Sequence, residues 1–134
     1  MYSKIIVGLA LDHGISETAL AKANLLLDDG GEIIALHVYE MPGGTVSAYV
    51  SEADMARGRE NAKTRLADRV ADVPNVTPVL INGHSGLEIT DYAKKNGADC
   101  IIVGSHKPGL ADFLLGSTAA RIVRHAHCTV IVLR

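Results

Sequence analysis

Short apolar runs separated by longer polar segments dominate this chain. "KIIVGLA" (4–10), "EIIALHVY" (32–39), "VTPVLING" (76–83), "DCIIVG" (99–104) and "CTVIVLR" (128–134) recur along its 134 residues. Each is too short for a typical helix and most lack the polar alternation of a half-exposed strand, as expected of strands covered on both faces. The segments between them have helical periodicity: Leu20, Ala23 and Leu27 in one, Ala62, Leu66, Val70 and Val73 in another. Strand and helix therefore alternate from end to end. A chain that alternates this way crosses back over its sheet after every strand, which makes neighbouring strands parallel. Right-handed crossovers leave few five-stranded arrangements. The commonest is a doubly wound α/β sheet of order 3-2-1-4-5 with helices on both faces, formed by one domain over residues 1–134.

Local signals place the boundaries. Ser16 is a candidate N-cap, and Gly30 or Gly31 a stop for the first helix. Gly58 lies inside the second helical pattern, where it carries a modest penalty. Pro78 puts the third strand at or near a sheet edge. Ser85-x-x-Glu88 has the form of a capping box, and Gly97 closes the helix that follows. Residues 117–126 form a short helix with basic residues toward its end. The longest irregular stretch is 40–51.

With 48% apolar and 21% charged residues the chain reads as a soluble globular domain. Its net charge of −2, with acids and bases interspersed, argues against nucleic-acid or anionic-membrane surfaces, which need clustered Lys and Arg. The N-terminus reads as a first strand and not a signal peptide, and no run is long enough to cross a membrane. Cys100 and Cys128 lie in apolar runs without metal or redox spacing, which suits reduced thiols in the cytoplasm. The six histidines are scattered, so no protein-built transition-metal site is expected.

In an open α/β sheet of this order, ligands bind beyond the carboxyl ends of the strands where the winding reverses. The loops after strands 1 and 4 line that crevice. The second of these is "VGSHKPGLADFLLGSTAARI" (103–122), which is rich in glycine and hydrogen-bond donors. Val103 and Gly104 end the strand, Gly109 interrupts the loop, and Gly116 precedes Ser117 and Thr118 at a helix start. Backbone amides, two hydroxyls and the charge of Lys107 or His106 could cradle a phosphate there. The same residues also suit an ordinary strand-to-helix turn with Ser117 as a plain cap. The loop is neither a Walker A motif nor GxGxxG.

These residues resemble the universal stress protein family over the whole chain. The family signature is a glycine, two residues, a second glycine, nine residues and a closing Gly-Ser or Gly-Thr. Gly104 matches the first glycine and Gly116-Ser117 the closing pair. Lys107 stands at the second glycine, and the loop is one residue shorter. "LLGS" followed by "RHA" is similar to the bacterial F- and G-type subgroup. The resemblance implies an adenine nucleotide alpha hydrolase-like fold. It implies an adenine nucleotide ligand, ATP or else AMP or ADP, with Mg²⁺ or Mn²⁺ carried by the phosphates. It further implies a cytoplasmic stress-response sensor or regulator that is not an enzyme, beyond slow ATP hydrolysis or autophosphorylation.

The resemblance also assigns contacts elsewhere. The family usually has an aspartate at the end of strand 1, where this chain has Ala10. Asp12 could substitute by accepting from ribose hydroxyls, or could simply start an Asx-turn. The backbone of Gly8, Leu9 and Ala10 can line the pocket regardless. Val38 corresponds to the residue whose backbone holds adenine, the alternative being a core role alone. Gly83 is either near the base or a turn glycine. The apolar C-terminal strand, 128–134, lies at a sheet edge and implies a homodimer paired through that strand. Lys107 and Ala10 keep a second reading open, a dimeric interaction module of the same fold that binds no nucleotide. A phosphoacceptor receiver domain is disfavoured because strand 3 ends in Asn82-Gly83 and no lysine-bearing loop and helix follow strand 5. A flavodoxin-like carrier lacks its phosphate-binding loop after strand 1.

Overall fold

The computed structural model describes residues 1–11, 16–40, 48–105 and 115–134. In chain order the elements are β1 (Tyr2–Gly8), α1 (Ser16–Leu26), β2 (Leu27–Tyr39), α2 (Glu52–Val70), β3 (Val76–Asn82), α3 (Ser85–Lys95), β4 (Cys100–Gly104), α4 (Ser117–His125) and β5 (Thr129–Leu133). All strand pairs are parallel, as the alternation of runs implies, and the sheet order is β3-β2-β1-β4-β5, the commonest of the few arrangements that right-handed crossovers leave.

The apolar runs are continuous because both faces of the sheet are covered. Ile5, Ile6 and Val7 of β1 are all fully buried, yet they belong to two different cores. Ile5 and Val7 join Ile33, Ala35, Cys100 and Ile102 against Leu20 and Ala23 of α1 and Leu66 of α2. Ile6 joins Ile34, Leu36, Ile101 and Val103 against Ile89 and Ala93 of α3 and Ile122 of α4. Alternate residues of each central strand thus feed opposite layers, so a one-residue slip would exchange the two sets. Pro78 sits on edge strand β3, paired with Ala35.

Two local expectations are corrected. Gly30 and Gly31 do not stop α1, which ends at Leu26 and runs straight into β2. The pairing steps from Tyr2↔Leu27 to Lys4↔Glu32, so the Asp28–Gly31 segment forms a bulge in the β1–β2 ladder. Gly30 has a φ of 79°, and a Cβ on Gly31 would lie 2.8 Å from the Ser3 carbonyl oxygen. These glycines therefore permit a bulge and a close backbone approach. The Ser85–Glu88 capping box does not form: His84 is the N-cap of α3, and Ser85 is the first helical residue. The Ser85 amide and hydroxyl instead both donate to Glu40 Oε1 at 2.9 Å, so a carboxylate at the end of β2 caps α3 from another element.

Gly97 does close α3. Its φ is 68°, and the Ala98 amide donates to the Ala93 carbonyl at 2.9 Å, satisfying the helix end through a left-handed residue. The turn leads to Asp99, whose carboxylate accepts from the Ser3 amide (2.9 Å), the Ser3 hydroxyl (3.1 Å) and the Lys4 amide (3.0 Å). Burial by itself would raise this carboxyl's pKa, but the hydrogen bonds from Ser3 and Lys4 outweigh it and hold it below its ordinary 3.8. A carboxyl depressed in the folded state stabilises above its unfolded value and ceases to do so as pH falls through the folded one. The Asp99→Asn variant should therefore lose less stability than the parent between pH 5 and pH 3. Urea midpoints across that range test this; parallel pH profiles would refute it.

Candidate functional site

The β1–α1–β2–α2–β3 half of the chain winds to one side of β1, and β4 and β5 lie on the other. The segments leaving β1 and β4 therefore diverge at the carboxyl edge. A cavity of about 690 Å³ opens between them. Its floor is the ends of three strands. Gly8, Leu9 and Ala10 come from β1 and the residues just after it; Val38 and Tyr39 come from β2; Val103 and Gly104 come from β4. One wall is the start of α4, with Gly116, Ser117 and Thr118, and the opposite wall is α2, with Asn61, Ala62 and Arg65.

The sites read from sequence at Gly8, Leu9, Ala10, Val38, Val103, Gly104, Gly116, Ser117 and Thr118 are thus brought to one cavity. Asp12, His106, Lys107 and Gly109 lie outside the described residues. Gly83 is not among the lining residues. Its φ is 137°, and a Cβ there would collide with the Glu88 side chain at 2.5 Å, which makes it the turn glycine before α3.

Backbone bonds hold the floor. The Leu9 amide donates to the Leu36 carbonyl at 2.9 Å, and the Leu9 carbonyl accepts from His37 Nδ1 at 2.7 Å. A carbonyl can only accept, so Nδ1 carries a proton. Gly8 is a close-approach glycine: a Cβ would stand 3.1 Å from Val103 Cγ1 and 3.2 Å from Ile89 Cδ1. Val38 is buried, 5% exposed, in the α3–α4 core while also lining the cavity, so its two readings are compatible.

The start of α4 is anchored through Ser105. Its amide donates to the Leu133 carbonyl at 2.7 Å, and its carbonyl accepts from the Gly116 amide at 2.6 Å. This corrects the expected cradle, because the Gly116 N–H is already engaged. The first helical bond runs from the Ala120 amide to the Gly116 carbonyl at 2.9 Å, and among the described residues no side chain caps this end. The amides of Ser117, Thr118 and Ala119 thus have no acceptor within the helix, and all three residues line the cavity. Helix geometry aims such first-turn amides outward along the axis with the positive end of the dipole, the arrangement that favours an anion. Ser117 and Thr118 are thus donors the sequence already placed at this end, and Ala119 joins them while Gly116 drops out.

Several lining groups were not singled out from sequence. Arg65 donates to the Leu11 carbonyl at 2.5 Å; its neighbour Arg69 donates to the same carbonyl at 2.6 Å and to the buried Ser16 hydroxyl at 2.6 Å. Two guanidiniums on α2 therefore hold the exit of β1. Tyr39 lies against α2 at Gly58, where a Cβ would come within 2.5 Å of the tyrosine hydroxyl. This accounts for a glycine inside a helix. The signal was present, since Gly58, Asn61, Ala62 and Arg65 share one helical face, but periodicity cannot say which loop that face meets.

The thiols are not part of this chemistry, since neither lines the cavity. Burial, with smaller contributions from Cys128 and Asp99, pushes the Cys100 thiol up to about 11; burial and Asp99 also raise Cys128. Neither is an activated nucleophile. Among the described residues no three His, Cys, Asp or Glu side chains gather as metal ligands, and no helix is long and apolar enough to cross a membrane.

The comparisons agree with this architecture. The sequence profile of the universal stress protein family matches residues 1–134. Universal stress protein G of Shigella flexneri is 31% identical over 144 aligned positions, with both chains fully covered. The protein of the same name from Salmonella typhimurium (strain LT2) is 32% identical over 145, again with full coverage of both. Among solved structures, a universal stress protein from Archaeoglobus fulgidus in complex with dAMP superposes with a TM-score of 0.64 at 20% identity, covering 99% of this chain and 98% of that one. An Arabidopsis thaliana universal stress protein family member with AMP bound gives 0.59 at 16% identity, covering 98% and 90%. The chain belongs to the universal stress protein family.

Arg69 supplies a test of how the site is held. Replacing it with methionine keeps most of the packed stem but leaves the Ser16 hydroxyl and the Leu11 carbonyl without this donor. Arg69→Met should cost roughly 1–3 kcal/mol and speed amide exchange at the start of α1. Unchanged stability would show that Arg65 alone suffices.

Proposed function

We propose that this protein binds an adenine nucleotide in the cavity above β1 and β4 and acts as a homodimeric regulator, in keeping with a cytoplasmic stress-response role. The observation that carries the reading is the meeting of two unlike surfaces. The strand ends offer a largely apolar floor, suited to a base. The α4 start offers three first-turn amides, suited to phosphate. The volume, about 690 Å³, is in the range of small-molecule and cofactor sites. The dAMP and AMP complexes of two structural neighbours support the same ligand class.

ATP is the favoured nucleotide, with AMP and ADP as the shorter alternatives, and Mg²⁺ or Mn²⁺ would arrive on the phosphates. The described residues supply binding and orientation: Val38 walls the base, while Ser117, Thr118 and Ala119 meet the anionic end. No activated nucleophile stands among the described lining residues, so hydrolysis or autophosphorylation would be slow. A regulatory role fits a site that holds its ligand without consuming it.

Calorimetry with Mg-ATP and with AMP tests this. Gly116 has a φ of −60° and ψ of 155°, which valine tolerates, so Gly116→Val should fold while crowding the phosphate end. Its affinity should fall at least about tenfold, the scale of charged hydrogen bonds lost. Undiminished affinity would remove the phosphate assignment.

The engaged Gly116 amide, with Lys107 and Ala10 in sequence, favours a second reading: a dimeric interaction module without nucleotide. Acid extraction of freshly purified protein separates the two, since adenine absorbance in the supernatant excludes the module.

Dimerisation through β5 would pair its free edge with the same strand of a second copy. The Leu133 carbonyl faces β4, and strand backbone groups alternate sides, so Ile131 faces β4 as well while Val130 and Val132 face outward. A proline at Val130 removes one outward donor and leaves the inner ladder intact, whereas one at Ile131 would break it. Val130→Pro should shift the light-scattering mass from dimer to monomer; a dimeric variant would count against pairing by this edge.

A further inference from the structure

A second hollow, of about 300 Å³, lies between α3 and α4 and shares no lining residue with the larger cavity. Lys94 and Asp91 reach it from α3, Arg121 and His125 from α4, and His127 from the turn before β5. Among the described residues no hydrogen bond or ion pair engages the side chains of Lys94, Arg121, His125 or His127. These four nitrogen-bearing residues, all solvent-exposed, therefore border one surface hollow without a partner among the described residues.

Arg121 is also held in place. Its stem crosses the first turn of α3 at Gly86, where a Cβ would stand 2.8 Å from Arg121 Cδ and 3.1 Å from its Cβ. The missing side chain at position 86 opens the slot along which Arg121 reaches the hollow. The floor is apolar and non-donating: Leu87 lines it, and the Thr90 hydroxyl, which also lines it, donates to the Leu87 carbonyl at 2.9 Å. Any ligand must be met by the nitrogens.

The charges decide the ligand class. Two fixed cations, Lys94 and Arg121, oppose the single carboxylate of Asp91, and the ring nitrogens of His125 and His127 add hydrogen-bonding positions. Arg124, also on α4, and Lys95, on α3, lie outside the lining and add only background charge. A planar guanidinium beside an ammonium and two imidazoles matches a tetrahedral dianion, whose oxygens accept from several directions. We propose that this hollow is a binding site for a phosphomonoester-type dianion, met by Lys94, Arg121 and the two imidazoles.

Sulfate is the primary probe, because it is a tetrahedral dianion throughout the neutral range. It is titrated into the full-length isotope-labelled chain while the Arg121 side-chain and His125 and His127 ring NMR signals are followed. Saturable movement of these signals is expected. Arg121→Gln should weaken binding about tenfold. Gly86→Ala leaves every charge in place and favours the helix, but blocks the slot for Arg121, so it too should weaken binding. O-phospho-L-serine at pH 7 should move the same signals, and inorganic phosphate separates free anion from ester. Sulfate that leaves these signals still overturns the proposal. So does undiminished binding by either variant, because diffuse surface charge would then explain the attraction.

Discussion

β1 and β4 lie side by side and parallel, yet the chain departs from them toward opposite halves of the sheet. That divergence is the constraint on which the site depends. Two backbones leaving neighbouring strands in different directions cannot both cover the space above them, so a crevice opens there. The arrangement holds because β1 is sealed on both faces. Ile5, Ile6 and Val7 are fully buried in alternating layers, and a slipped register would send each into the wrong one.

Polar contacts then shape the crevice, and most come from elements distant in sequence. Arg65 and Arg69 on α2 hold the exit of β1 at Leu11. Glu40 at the end of β2 caps α3 through Ser85. Ser105 joins three elements: its amide meets the carbonyl of Leu133 on β5, and its carbonyl meets the amide of Gly116 at the start of α4. On the nucleotide reading, Ser105 is the shortest bonded link between the phosphate end and the edge strand proposed to form the dimer. It is a physical route by which a ligand could influence a partner copy.

The covered parallel sheet was legible because both-face burial writes itself into sequence as uninterrupted apolar runs, and its order followed as the commonest right-handed winding. Even the edge position of β3 followed from one residue, Pro78. The floor and the α4 wall were legible through the glycine-rich segment after β4 and through the family resemblance. Details set by long-range partners were not. Ser85-x-x-Glu88 has the form of a capping box, but Glu40 supplies a competing acceptor from another element. Gly30-Gly31 looks like a helix stop, but Ser3 approaches closely enough to make it a bulge. Gly116 was read as an available donor, and only the position of the Ser105 carbonyl shows that it is occupied. Gly58 appeared as a helix penalty until Tyr39 was seen against it. In each case the residue type was informative, while its partner lay far along the chain.

The central claim is that one ligand bridges the strand ends and the first turn of α4. Amide NMR of the full chain titrated with Mg-ATP tests this most directly. The account predicts that signals from Gly8–Ala10 and Val38 move together with those of Ser117–Ala119 along a single binding curve. Movement confined to one of these groups, or none at saturating nucleotide, would contradict it.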